Sequence, residues 1–454
     1  MTAAHWWPAG RVAAAIAGGE LSAAEYLDLL LDRVARLDPG LELLVTVDDT
    51  ARDRARAADR AVARGEPLGP LHGVALTVKD SLATAGLRTT AGSALRRDHV
   101  PAADARAVTA LRRAGAIVFG KTNLPEHCAD IQARSVYGVS RNPWDPAYST
   151  GGSSGGGAGA VAAGLTPVEV GSDVAGSIRI PAGYCGVAGH KPTYGIVPLD
   201  GHLPPYHPTT PDVVVVGPLA RTVDDLELML GVLSGPGGRD GSPWRLDLPP
   251  ARPVRRIALW TGDPAVPTDP EIVAVLHDVA ERLGKEGVTV EEDAPPGVRL
   301  ADASRIADRL LAGVGVPLRG DHDRAALGGA HAGQSYADWY DADVARWRLA
   351  ARWERFFARY DAILTPVTPN LAIVHDGRPF AERRVLVGGA ERPYWDQVAW
   401  ATLTGVCHLP TTVVPAALDS RGLPIGVAFS GPRFGDLTTL AAARLVPPIG
   451  HPPC

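Results

Sequence analysis

Residues 148–181 read YSTGGSSGGGAGAVAAGLTPVEVGSDVAGSIRIP. From Gly151 to Gly157 every residue is Gly or Ser, around one Ser-Ser pair, so the backbone there is bare and open to conformations barred to other residues. An Ala-rich segment of helical character follows, then a short apolar strand, Val168 to Val170. A second Gly/Ser loop runs from Ser172 to Ser177. Peptide N–H groups in such loops can approach a substrate oxygen with no side chain in the way. Two serine loops joined by a short helix and strand suggest a serine nucleophile with a partner serine. Neither loop has a histidine beside it, so the base must come from elsewhere, and Lys79 is the best candidate.

Around this stretch, the 454 residues are 46% hydrophobic and 21% charged, enough to bury a large core. A formal net charge of −5 gives no electrostatic reason to expect nucleic acid. The four cysteines, Cys128, Cys185, Cys407 and Cys454, are far apart and fit neither a zinc site nor a disulfide framework. They read as isolated reduced thiols of a cytoplasmic protein. The N-terminus lacks a basic region followed by an apolar one, so no secretory signal is expected. No stretch approaches the roughly 18 apolar residues of a membrane helix. Only four lysines stand against 41 arginines. A lysine retained under that bias gains weight as an amine required to lose its proton.

Residues 10–65 read as helical. Ser22 and Glu25 form a capping box, Leu27, Leu30, Leu31 and Val34 follow at helical spacing, and Asp38-Pro39-Gly40 should end that helix. Thr50 to Arg64 reads as a second, solvated helix. From Pro70 the pattern is α/β. Strands are expected at 73–78, 116–119, 168–170, 213–216, 257–260, 288–290, 362–365, 411–414 and 426–429. Helices are expected between several of them, including 104–114, 223–233, 271–283 and 341–360. This alternation predicts one large mixed sheet covered by helices on both faces. The Pro-rich connections at 198–211 and 243–253 read as loops, and the tail after residue 445 as frayed. Lys79 stands at the C-terminal end of its strand, the edge where ligand chemistry gathers in open α/β sheets.

Two motif matches are rejected. Gly115 to Thr122 fits the P-loop expression, but its variable positions are a buried apolar strand rather than a bare phosphate cradle. Gly151 to Gly155 fits G-x-S-x-G, but Asn142-Pro143-Trp144-Asp145-Pro146 precedes it, and that is no strand. The 13 histidines offer no metal-ligand pair such as H-E-x-x-H. Lys79, Ser153 and Ser177 survive. A serine hydroxyl needs a base, a desolvated lysine can be neutral enough to serve, and a second serine can relay the proton between them.

These residues resemble the amidase signature family, whose hallmark is a Ser–cis-Ser–Lys triad. Ser153 in G-G-S-S-G-G and Ser177 in D-x-x-G-S-x-R-x-P stand 24 residues apart, as in that family, and Lys79 in Thr77-Val78-Lys79-Asp80 matches its lysine motif. Further segments are similar from Leu71-His72-Gly73 to Gly422-Leu423-Pro424-Ile425-Gly426, so the likeness runs almost end to end. It implies an N-terminal helical segment, 1–65, on a signature domain, 66–454, with core motifs at 70–225. It also implies a hydrolase of small linear amides with Lys79, Ser153 and Ser177 as catalytic residues. The backbone N–H groups of Val174, Ala175 and Gly176 would form the oxyanion hole. Thr150, Ser154, Asp173 and Arg179 would support them.

No metal or cofactor, nucleic acid or membrane partner is implied, and the oligomeric state is open, a homodimer included. The alternative is the glutaminase component of a tRNA-dependent amidotransferase complex. Those components usually carry Gln where this chain has Ile180, and Leu where it has His190. Ala175 stands where many members have Gly, Ala75 where Pro is common, and the short end of the chain suggests an incomplete last helix. Trp395 and Trp400 read as core residues or as walls of an acyl pocket, with 200–211 and 300–400 as the variable walls.

Overall fold

The computed structural model describes residues 4–204, 206, 211–235, 246–315 and 333–453. Parts of the 198–211 and 243–253 connections, of the suggested pocket walls, and Cys454 therefore lie outside the described residues. Segments of four to eight residues, most of them apolar, form the eleven strands of the main sheet: β1 Leu44–Val47, β2 Ala75–Lys79, β3 Ile117–Thr122, β4 Val168–Asp173, β5 Ala188–Lys191, β6 Val215–Ala220, β7 Arg256–Leu259, β8 Thr289–Glu292, β9 Ala362–Pro366, β10 Thr411–Leu418 and β11 Pro424–Ser430. They make one mixed sheet in the order β1-β3-β2-β4-β6-β5-β10-β11-β9-β7-β8. The β3-β2-β4 and β9-β7-β8 pairings are parallel, and the others antiparallel.

Strand alternation sorts the two faces. Leu76 and Val78 of β2 and Val168 and Val170 of β4 enter a cluster with Val12, Ile16, Leu27, Leu30, Val108 and Leu230 from helices Ala9–Ala17, Ala23–Leu41, Arg106–Arg113 and Val223–Leu233. Thr77, Lys79, Glu169 and Asp173 occupy the alternate positions, all fully buried. Helices Gly155–Ala162 and Arg179–Cys185 contribute to a cluster that includes Ile131, Ile178 and Val413. Among the described residues no helix is long and apolar enough to cross a membrane.

The expected strands and helices all occur, with shifted bounds; two small hairpins, 134–139 and 384–393, were not expected, and four further points differ. Leu44–Val47 is a strand inside the stretch expected to be helical, paired antiparallel to β3. The helix begun by the Ser22–Glu25 capping box runs through Pro39 to Leu41 instead of stopping at Asp38. The turn comes at Glu42, in a left-handed conformation. There the Asp38 carbonyl accepts from Glu42 N at 2.8 Å and the Asp38 carboxylate from Leu43 N at 2.8 Å. Ala188–Lys191 has little strand propensity and is held extended by β6 and β10 on either side. The tail is packed rather than frayed: His451 stacks on Trp6 with ring centroids 4.0 Å apart.

Candidate active site

The Gly/Ser run does not fold as one bare loop. The helix Gly155–Ala162 starts inside it, and its glycines are set by close approach. A Cβ on Gly156 would come within 2.5 Å of Asn123 N, and one on Gly157 within 2.5 Å of Glu169 Cγ. The helix thereby lies tight against the backbone at Asn123, just past β3, and against the Glu169 side chain of β4, and its N-terminal end delivers Ser153 and Ser154 to the C-terminal ends of the strands. The peptide between Gly152 and Ser153 is cis.

Lys79 ends β2 with no solvent exposure, and its Nζ is hydrogen-bonded to Ser153 Oγ at 2.7 Å and to Ser172 Oγ at 3.0 Å. Ser154 joins the two serine loops. Its N–H donates to the Ser177 carbonyl at 3.0 Å, its hydroxyl donates to the Ser172 carbonyl at 3.2 Å, and Ser172 N donates to its Oγ at 3.3 Å. Ser177, 8% exposed, ends the second loop. Lys79, Ser153 and Ser177, singled out as base, relay and nucleophile, and Ser154, which the resemblance adds as a support, are therefore linked at the C-terminal ends of β2 and β4 through the Lys79–Ser153 and Ser154–Ser177 hydrogen bonds.

Asp173 shapes that second loop. Its carboxylate accepts from Gly176 N at 2.9 Å and Ile178 N at 3.0 Å. It also accepts from Arg179 Nε at 3.0 Å and Nη2 at 2.6 Å. Arg179 Nη1 donates onward to the Ala401 carbonyl at 2.5 Å and to Thr404 Oγ1 at 3.1 Å, which ties the loop to the helix Ala399–Gly405. The positive φ of the loop, 111°, falls on Gly176, so Ala175 carries no backbone strain. Gly176 N–H, expected among the oxyanion donors, is engaged by Asp173 Oδ1. Thr150 props the helix from behind: its methyl would lie 3.2 Å from a Cβ on Gly159.

Burial depresses the proton affinity of Lys79, against the opposing pull of Cys128, Asp173 and Glu169. Burial alone would raise the Asp173 carboxyl, but the Arg179 guanidinium outweighs it and holds the group well below the usual carboxylate range. His202, close enough to feel the Lys79 charge, is lowered to about 3, mainly by burial.

Ser172, which is hydrogen-bonded to Lys79, and Glu169, Cys128 and His202, which are electrostatically coupled to it, are neighbours of Lys79 that the sequence reading did not single out as candidates. Glu169 had left a signal, as the single charge in the apolar run Val168-Glu169-Val170. The rejected P-loop lysine, Lys121, is buried and donates to the Leu82 carbonyl and to Thr84 Oγ1 at 2.9 Å, bonds that hold structure together rather than a phosphate. Trp400 is buried in the core, edge-on to Trp260 at 5.1 Å, while Trp395 is half-buried against Phe380.

The amidase family model matches residues 25–315 and 320–440. The chain is 33% identical to the indoleacetamide hydrolase of Bradyrhizobium diazoefficiens, over 97% of its own length and 86% of that protein's. It is also 33% identical to a glutamyl-tRNA(Gln) amidotransferase component of Thermus thermophilus, over 96% and 95%. A solved bacterial aryl acylamidase of the amidase signature enzymes superposes with a TM-score of 0.86 at 27% identity, covering 97% of this chain and 96% of that one.

Proposed function

The chain belongs to the amidase signature family and is an amidohydrolase, and we propose that it cleaves a carboxylic amide through an acyl-enzyme on Ser177. The observation that carries this reading is the fully buried Lys79–Ser153 hydrogen bond, 2.7 Å long, beside the loop that ends at Ser177. Neutral Lys79 Nζ takes the Ser153 proton while Ser153 Oγ takes that of Ser177. Ser177 Oγ then bonds to the amide carbon. The oxyanion falls to the amides of Val174, Ala175 and Ser177, since Gly176 N–H serves Asp173. The relay runs backward to protonate the departing nitrogen, the C–N bond breaks, and ammonia or an amine leaves. Water adds to the acyl-enzyme by the same route, releasing the carboxylate and restoring Ser177.

An apolar acyl group suits the walls. Val174 packs against the cluster holding Trp260, Trp400 and Leu403, and a Cβ on Gly176 would meet Ile180 and Ala401. The indoleacetamide hydrolase among its relatives acts, by its name, on an amide with an acyl group of that kind.

A serine-directed fluorophosphonate tests the reading. The expected result is one adduct, mapped to Ser177, formed at least ~100-fold more slowly in Lys79→Ala. Wild-type protein that takes no adduct alone, but does with the other amidotransferase components added, would move the chain to the glutaminase reading. The likeness to the Thermus protein supports that alternative.

A further inference from the structure

Glu169 is a buried carboxyl that the acyl-transfer chemistry above leaves unused. In the register of the sheet it pairs with Thr77 across β2 and β4, while Lys79 pairs with Thr122 across β2 and β3. Side chains two apart on a strand share a face, so Glu169, Thr77, Lys79 and Thr122 lie together on one side. Contacts bear this out. Thr122 Oγ1 donates to Glu169 Oε1 at 2.7 Å, and Thr77 Oγ1 donates to Oε2. One carboxyl oxygen is thus held by a hydroxyl from the adjacent strand β2, and the other by a hydroxyl from β3 beyond it. The helix that delivers Ser153 sits directly on top, Gly157 against Glu169 Cγ.

A buried carboxyl held only by neutral hydroxyls is costly to keep, and a threonine-bonded Glu is a poor choice for filling space beneath a glycine helix. Its charge has an obvious recipient. Lys79 begins the reaction neutral and becomes an ammonium when it takes the Ser153 proton, in a site closed to water. We propose that Glu169 is a positioning residue for Lys79: its carboxylate, fixed by Thr77 and Thr122 on the shared face, supplies the counter-charge that makes the lysine a strong enough base. This inference rests on the Ser177 reading.

The charged surroundings support it. Glu169 is raised to about 7, chiefly by burial, and the two cations that oppose that rise are Lys121 and Lys79. Lys121 is shared with Asp80, also buried. Around Lys79 stand Asp173, Cys128 and His202. The covering helix, Gly155–Ala162, has no titratable side chain. Glu169 is therefore the carboxyl joined by hydroxyl bonds to Lys79's own strand, through Thr77, and to β3 on its far side, through Thr122, whereas Asp173 is committed to Arg179.

The test follows the rate of fluorophosphonate attachment to Ser177 against pH, from about pH 5 to 10, in wild type, Glu169→Gln and Thr122→Val, read by intact mass. The step forms an O–P bond, expels fluoride and passes the serine proton to Lys79, so its acid limb reports the lysine. The carboxylate raises the proton affinity of Lys79, so its removal should move that limb to lower pH by ~0.5 unit or more and lower the plateau ~3–10-fold. Thr122→Val, which removes one donor to the carboxylate, should move the limb the same way by less. It carries the test if Glu169→Gln does not fold. A limb fixed in both variants, with or without a lower plateau, would reduce Glu169 to a packing residue and overturn the proposal. A wild type unlabelled at every pH would overturn the Ser177 reading and this inference with it.

Discussion

Asp173 and Arg179 form an ion pair with side-chain exposures of 0% and 2%. Removing one partner strands the other charge without water, which typically costs ~3–5 kcal/mol. Arg179→Ala should therefore lower the unfolding free energy, measured in urea, by that much. It should also slow Ser177 labelling, because the arginine fixes the loop to the helix above it. The double variant Asp173→Asn, Arg179→Leu should recover part of the stability but none of the labelling. Glu169 makes the opposite kind of claim on stability. Its folded proton affinity, near 7, exceeds the ordinary 4.5. Below about pH 4.5 both states hold the proton and nothing is lost. As pH rises toward 7 the unfolded chain ionises first, so stability falls, and above 7 a deficit of about 3 kcal/mol remains. Urea midpoints of Glu169→Gln and wild type should coincide near pH 4.5 and diverge by about pH 8, the variant being more stable. Coincidence at both would mean the carboxyl titrates normally.

At the scale of elements, the helix Gly155–Ala162 and strand β4 were legible as a helix and a strand, but their contact was not. Glycine in sequence signals either conformational freedom or close packing, and the two leave the same letter. At Gly157 packing decides: a methyl there would meet Glu169 Cγ at 2.5 Å. Gly157→Ala should destabilise by ~1–3 kcal/mol, the usual cost of overpacking. Glu169→Ala in the same chain should relieve most of it, and a double-mutant cycle in urea measures the difference. Strands such as Val168-Glu169-Val170 announce themselves by alternation, whereas Ala188–Lys191 does not. Its four residues carry no pattern, and only its two neighbours in the sheet extend it. Leu44–Val47, in contrast, has strand-forming residues, and was hidden only by its brevity between two helices; its pairing with β3 extends it.

Across the whole molecule, the serine and lysine motifs were readable because their chemistry restricts which residues can stand there. Ser172, Cys128 and His202 were not. They reach Lys79 only through the folding of segments far apart in the chain, 93 residues in the case of Ser172, and nothing in their local sequence marks it. The apolar walls lead to a prediction at this scale. The chain alone should release ammonia from an arylacetamide such as indoleacetamide at least ~10-fold faster, in kcat/KM, than from glutamine, measured by coupled ammonia assay. A reversed preference would favour the partner-dependent reading.

The order of the sheet also has a history in it. Strands β10 and β11, residues 411–430, lie between β5 and β9, near the middle of the sheet rather than at its rim. Without them the sheet order leaves two groups of strands, six on one side and three on the other, each with an unpaired edge where the hairpin belongs. Arg179 likewise waits for Ala401 and Thr404 before it can brace the loop beside Ser177. A ribosome that stops at residue 400 has therefore made Lys79, Ser153 and Ser177 but not the residues that brace the loop beside Ser177. What it releases is two open edges seeking a hairpin, a substrate for chaperones and proteases. Supplying residues 401–454 as a separate chain would ask whether the last hairpin can still find its slot from outside.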